Sequence, residues 1–192
     1  MARPADATAL RAIYAPFCEN TTVSFEVRAP SFEEMEARIR KITEQFPWLV
    51  CERDGKSLGY AYACPHRERA AYRWSVDVAV YVDPRHHRLG IGRALYTALF
   101  GILRLQGFFK ACAGITLPNM ASVGLHEALG FRPVSVYRGV GYKFGVWRDV
   151  GWWQLALQDE QPDPPEPRGV QVIASSPDWQ IALATGANLL RA

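Results

Sequence analysis

The stretch Tyr81-Val-Asp-Pro-Arg-His-His-Arg-Leu-Gly-Ile-Gly-Arg-Ala-Leu95 decides how the chain is read. On its N-terminal side, Trp74 to Val82 alternates strictly. Val76, Val78, Val80 and Val82 occupy one face, and Ser75, Asp77, Ala79 and Tyr81 the other, as a half-buried strand requires. On its C-terminal side, apolar residues at helical spacing predict a helix from about Gly92 to Gln106. Gly90 and Gly92 remove side chains where strand becomes helix, so backbone amides and the helix N-terminus can point at an anion. Arg85, Arg88 and Arg93 surround the turn with permanent charge, and the whole would cradle a pyrophosphate. A dinucleotide fingerprint would need a small residue at Leu95, and a P-loop would need Gly-Lys-Ser/Thr after a longer spacer; neither is present. His86 and His87 are adjacent, so they face different ways on most backbones, and no metal site is expected from them.

Working outward, Asp6 is placed to cap a first helix carrying Leu10, Ile13, Tyr14 and Phe17. Ser31-Phe-Glu-Glu34 is a capping box opening a second helix through Met35, Ile39, Ile42 and Phe46, with Pro47 as its stop. Trp48 to Arg53, Asp54-Gly55 and Ser57 to Cys64 read as a hairpin. Phe108 to Thr116, Val134 to Tyr142 and Trp152 to Leu157 read as strands. A helix starting at Asn119 or Ser122 ends at Leu129-Gly130. The fold class is mixed α/β (α+β), with helices interrupting a largely antiparallel sheet. Residues 1–157 form one domain. Residues 158–168 hold Pro162, Pro164, Pro165 and Pro167 and read as an extended linker. Residues 169–192 regain apolar character, are too short to fold alone, and are expected to dock on the body or on a partner subunit.

Bulk properties narrow the function classes. A chain of 192 residues, 49% hydrophobic, can bury one substantial core. A net charge of +3 is too mild for a nucleic-acid binder but suits an anionic ligand. Cys18, Cys51, Cys64 and Cys112 are scattered, without a C-x-x-C pair, which favours free thiols in a reducing, cytoplasmic setting. No apolar run is long enough to span a membrane, and Met1-Ala-Arg-Pro4 has no signal-peptide h-region.

The loop resembles the acetyl-CoA motif of the GNAT acetyltransferases, Gln/Arg-x-x-Gly-x-Gly/Ala, with His87 where Gln or Arg is usual. Asn119-Met-Ala-Ser-Val-Gly-Leu-His-Glu-Ala-Leu-Gly-Phe131 resembles the second half of that cofactor site. The phosphinothricin acetyltransferases are closer still, through Phe46-Pro-Trp-Leu-Val50, Ala71-Tyr72, Val80-Tyr-Val82, His126-Glu-Ala-Leu-Gly130, Asp149-Val-Gly151 and Trp153-Gln-Leu155. The resemblance covers about residues 6 to 157. It implies a GNAT fold, although only Met1 to Ala5 precede the first helix, so the family's first strand is expected to be shortened or missing.

The resemblance also implies roles. Acetyl-CoA would lie on Val80, Tyr81, Val82, His87, Arg88, Leu89, Gly90, Ile91, Gly92, Arg93 and Asn119, with an oxyanion-binding amide at Val80 to Val82. Asp77 stands where those enzymes use a Glu base; it is one methylene shorter, so a bridging water is one way for it to act. By pattern alone, such a carboxylate lies either on a solvent face or in a cleft. His126 occupies a position implicated in proton handling and is read as a second base, against the alternative of a packed helical His. Arg67 and Arg69 share parity and suit capture of a carboxylate or phosphinate, with Tyr72 beside them. Phe25 is either a substrate-facing or a core aromatic. The implied reaction is acetylation of the α-amine of a small anionic amino acid, such as phosphinothricin, methionine sulfoximine or methionine sulfone, by a homodimer. The alternatives are acetylation of another amine and a non-catalytic acyl-CoA sensor.

Overall fold

The strictly alternating segment becomes a central strand of the computed structural model, which describes residues 1–191. In chain order the elements are α1 (Ala7–Asn20), α2 (Phe32–Thr43), β1 (Trp48–Arg53), β2 (Lys56–Pro65), β3 (Ser75–Val82), α3 (Ile91–Gln106), β4 (Lys110–Leu117), α4 (Met120–Ala128), β5 (Arg132–Lys143), β6 (Val146–Ala156), α5 (Val170–Ile173) and α6 (Pro177–Ala187). The strands form one six-stranded sheet in the order β1-β2-β3-β4-β6-β5. Only the β3–β4 pairing is parallel.

Local chemistry explains most boundaries. The hairpin between β1 and β2 turns on Asp54 and Gly55, both at positive φ (50° and 71°), which an Asp-Gly pair tolerates. The capping box forms: Ser31 Oγ accepts from the Glu34 amide at 3.1 Å, and Glu34 Oε2 accepts from the Ser31 amide at 2.7 Å. Asp6 does not cap α1. Its carboxylate turns back to accept from the Arg3 amide at 2.7 Å, closing a short 3-10 turn over Pro4–Asp6. Helix α2 stops at Thr43, short of Phe46, whose ring stacks on Phe108 instead.

Among the described residues no strand precedes α1. The N-terminus meets the sheet edge through one bond, from the Ala2 amide to the Trp48 carbonyl at 2.7 Å. Strand β6 begins six residues earlier than the sequence suggested, at Val146 rather than Trp152. Its first residues, Val146, Trp147 and Arg148, pair with β5 alone, and Val146 and Trp147 stay exposed, so burial does not mark them.

Two apolar layers sandwich the sheet. Helices α1 and α2 bury Leu10, Ile13, Tyr14, Met35 and Ile39 against Trp48 and Tyr60 on one face. Helix α3 buries Leu95, Leu99, Ile102 and Leu103 on the other. After β6 the chain crosses the body: Trp74 Nε1 donates to the Pro165 carbonyl at 2.8 Å, and Lys110 pairs with Glu160 at 2.7 Å. Val170, Ile173 and Trp179 enter the α3-side core, whereas Ile181 is exposed. Helix α6 lies against α3 through small residues, with Ala182 over Gly101 and Gly186 over Ala94 and Ala98, which lets the backbones approach closely.

Candidate functional site

The loop leaving β3 has the chemistry of an anion cradle. Arg88 and Gly90 sit at positive φ (66° and 78°), which swings the chain into the start of α3. Among the described residues, the backbone amides from His87 to Arg93 donate no hydrogen bond to any protein acceptor; the first amide that does is Ala94, to the Gly90 carbonyl at 2.9 Å. Such orphan amides at a helix N-terminus, with the positive end of its dipole, bind phosphate groups. Of the three arginines expected here, Arg85 is engaged elsewhere. It forks onto Asp83 at 2.7 Å and holds that carboxyl down at about 2. Arg88 and Arg93 have no carboxylate partner among the described residues, and both are exposed. His87 Nε2 lies 3.3 Å from the Val82 carbonyl, tying the loop to the strand exit. These residues fit a coenzyme A pyrophosphate.

A cleft opens between β3 and β4 because their pairing stops. The strands are in register only from Ser75↔Lys110 to Asp77↔Cys112, although they continue to Val82 and Leu117. Val78, Val80, Tyr81, Tyr96, Asn119 and His126 line the gap, and Val23 reaches it from the α1–α2 connection. The Asp83 amide bonds back to Leu58 O at 2.9 Å. Amide direction alternates along a strand, so Val78, Val80 and Val82 direct theirs to the open edge. The Tyr81 ring packs among Tyr14, Phe17 and Tyr60, leaving its main chain to face the cleft. Asn119 uses its side-chain oxygen to cap α4, accepting from the Ser122 amide at 3.1 Å.

Asp77 stands at the closed end of the cleft, partly buried. Its Oδ1 lies 2.6 Å from His66 Nδ1. Burial pushes the Asp77 carboxyl up, and the hydrogen bond from His66 opposes that rise. Cys112 also approaches, and donor atoms of His66, Asp77 and Cys112 fall within 4.8 Å of one another. Burial pushes the Cys112 thiol up, which disfavours the thiolate a metal needs. The 2.6 Å separation is a hydrogen bond, tighter than the roughly 3.3 Å between neighbouring ligands around a tetrahedral zinc.

His126 is buried, with both ring nitrogens engaged. Nδ1 donates to the Ser122 carbonyl at 2.7 Å, and Nε2 accepts from the Tyr96 hydroxyl at 3.1 Å. Burial pulls its basicity down, so the ring is neutral near pH 7. Tyr96 carried no sequence signal beyond its place on the apolar face of α3.

Arg67, Arg69 and Tyr72 line one groove. They differ in their relation to Asp77. The Arg67 guanidinium lies 5.5 Å over the Trp152 ring, and its charge acts on the Asp77 carboxyl. The Tyr72 ring is edge-on to His66 at 5.8 Å. Arg69 makes no hydrogen bond or ion pair with Asp77 or His66 among the described residues. Phe25 packs on the β5 backbone, where a Cβ at Gly141 would fall inside its ring. The residue that fixes this wall is Lys143, buried at 4% exposure, whose Nζ donates to the carbonyls of Cys18 and Ser24 at 2.6 Å and Glu26 at 2.8 Å.

Comparisons with known proteins bear on the family and the fold. The family model of the acetyltransferase (GNAT) domain matches residues 1–152. The chain is 43% identical over 166 residues to a phosphinothricin N-acetyltransferase of Streptomyces viridochromogenes, covering 86% of this chain and 90% of that protein. It is 33% identical over 162 residues to an L-methionine sulfoximine/L-methionine sulfone acetyltransferase of Pseudomonas paraeruginosa, covering 83% and 94%. The crystal structure of a GNAT superfamily phosphinothricin acetyltransferase from Sinorhizobium meliloti in complex with AcCoA superposes with a TM-score of 0.82 at 34% identity, covering 87% of this chain and 92% of that one.

Proposed function

The chain belongs to the GNAT acetyltransferase family, and from that premise we propose that it moves the acetyl group of acetyl-CoA to the α-amine of a small anionic amino acid of the phosphinothricin, methionine sulfoximine or methionine sulfone type. The observation that supports this best is the layout of β3. An anion cradle lies at its exit, and a half-buried carboxylate lies at the closed end of the cleft beside it. Roughly 17 Å of strand separates Asp77 from Val82, room for an extended pantetheine arm.

In this reading the amides of Arg88 to Arg93 hold the pyrophosphate, and the pantetheine runs along the open edge of β3. The Val80 amide faces the thioester oxygen and stabilises the charge that develops there. Asp77 supplies the negative charge that drives removal of the amine proton. The free amine attacks the carbonyl carbon, the C–S bond breaks, and the sulfur leaves with the second amine hydrogen. His126 accepts the hydrogen of the Tyr96 hydroxyl and so fixes that side chain at the cleft wall. Arg67 faces the acceptor's acidic group with Tyr72 beside it, and Arg69 contributes charge to the same groove.

A homodimer, acting in the cytoplasm, completes the reading. Among the described residues no helix is long and apolar enough to cross a membrane. The β5–β6 hairpin exposes Val134, Val136, Tyr137, Val140, Tyr142 and Trp147, apolar surface suited to a second copy. The mechanism is tested by Asp77→Asn. Thiol-release turnover should fall by about 10²–10⁴ while calorimetric acetyl-CoA affinity is unchanged; near-native kcat would remove Asp77 from the chemistry.

A further inference from the structure

We propose that His66 is the catalytic residue that touches the acceptor amine, its Nε2 taking the amine proton while Asp77 holds and charges the ring from behind. This rests on the reading of the site as an amine acetyltransferase and deepens it.

The geometry is that of a carboxylate–imidazole dyad. The 2.6 Å contact between His66 Nδ1 and Asp77 Oδ1 is a little shorter than the roughly 2.7–2.9 Å of charge-assisted N–H···O bonds. An ionised carboxylate only accepts, so Nδ1 carries the hydrogen and the lone pair sits on Nε2. Among the described residues, Nε2 has no hydrogen-bond partner. The ring is not free to turn, because Tyr72 meets it edge-on at 5.8 Å and Trp152 at 6.1 Å. It keeps some access, its side chain being 18% exposed.

Asp77 has one carboxylate oxygen already engaged. It lies at the last position paired between β3 and β4, with Cys64 on β2 and Cys112 on β4 as its neighbours, and its Oδ1 is bonded to His66. The Asp side chain is one methylene shorter than the Glu of the resembling enzymes, so in this proposal a gap separates carboxylate and amine. The imidazole fills that gap with a group that can carry a proton. The titratable and charged groups around the ring are Asp77 from β3, Cys64 from β2, Cys112 from β4, and Arg67 and Tyr72 from the β2–β3 connection; β6 adds the uncharged Trp152. Burial pushes the Cys64 thiol up to about 11 and raises that of Cys112, so both are neutral spectators near pH 7.

The step balances as follows. The acceptor ammonium gives one proton to Nε2, and the imidazolium that forms is stabilised by the Asp77 carboxylate, as in a Ser-His-Asp triad. The amine lone pair bonds to the acetyl carbon, the C–S bonding pair leaves with sulfur, and a second N–H proton makes the thiol. His66 then returns its proton to solvent.

Two measurements on the full chain test this. In the first, His66→Gln is compared with wild type and Asp77→Asn. Its kcat should fall by about 10²–10⁴ at unchanged acetyl-CoA affinity, and the acid limb of the wild-type pH–rate profile should vanish. His66→Ala should regain turnover on addition of imidazole, which a merely structural ring would not allow. Near-native kcat in His66→Gln, or no imidazole rescue of a folded His66→Ala, overturns the proposal. The second measurement needs no turnover. Nitrogen-15 NMR of the wild-type ring should show the hydrogen on Nδ1, with that proton resonance lost in Asp77→Asn; a hydrogen on Nε2 instead overturns the dyad. If wild type acetylates no acceptor at all, the functional reading fails, and the NMR result alone judges the dyad.

Discussion

Gly90 lies directly against the carbonyl of Leu189: a Cβ built on Gly90 would stand 2.7 Å from that oxygen. The Arg191 amide also donates to the Leu89 carbonyl at 3.1 Å, and Arg53 donates to the Arg191 carbonyl at 2.8 Å. The C-terminal segment therefore braces the outer side of the anion cradle. Gly90→Ala should lower the melting temperature and weaken acetyl-CoA binding through two causes, the positive φ (about 1–2 kcal/mol) and the clash with the tail. A truncation ending at Ala187 removes only the second. In a double-mutant cycle followed by calorimetry, Gly90→Ala should cost less in the truncated background; equal costs would mean that the tail does not press on the loop.

Lys143 ties β5 to the connection between α1 and α2 through three carbonyls. Lys143→Met leaves those acceptors without their donor, at a cost of about 1–3 kcal/mol. Denaturant midpoints should fall, and hydrogen exchange across residues 21–26 should accelerate. An unchanged midpoint with native exchange would show that the loop is held by other means.

His126 predicts a pH dependence of stability. Burial lowers its folded pKa below the ordinary value of 6.5, so above that pH both states leave it neutral. As pH falls through 6.5, the unfolded chain binds a proton that the folded chain refuses, and stability declines, by at most about 1.4 kcal/mol per pH unit. Urea melts between pH 7.5 and 5 should show this loss in wild type and a shallower one in His126→Gln. Parallel slopes would mean that His126 is protonated in the fold.

Arg67 and Arg69 share a groove, but only Arg67 reaches the Trp152–Asp77 side of it. Arg67→Ala should raise KM for anionic amino acids by roughly tenfold to a hundredfold, the value of a charge-assisted bond. Arg69→Ala should do less, and neutral amines should respond to neither. Equal losses on neutral and anionic acceptors would make both arginines structural.

The parts of this site that were legible in sequence are those written locally. The glycines and arginines after β3, the Asp54-Gly55 turn and the Ser31 capping box each put cause and effect within a few residues. What stayed hidden depends on pairing across the sheet. His66 meets Asp77 because β2 and β3 run antiparallel with Cys64 opposite Asp77, a register that the hairpin reading could have supplied. Lys143 reaches the Cys18 carbonyl across 125 residues, and no pattern in its own strand marks it as buried. The early half of β6 is not marked in sequence because its partner β5 is itself exposed there, and Arg148-Asp149 interrupts its apolar residues. Arg85 adds less charge to the turn than its position suggests, because Asp83, two residues away, pairs with it.

The most direct test of the account is acceptor choice. Purified protein and acetyl-CoA would be mixed with phosphinothricin, methionine sulfoximine, methionine sulfone, their decarboxylated amines and a polyamine, with thiol release followed and products identified by mass spectrometry. The account predicts the highest kcat/KM on the anionic amino acids, with the acetyl group on the α-nitrogen. Faster turnover of the polyamine, or tight acetyl-CoA binding with no thiol released from any acceptor, would contradict it.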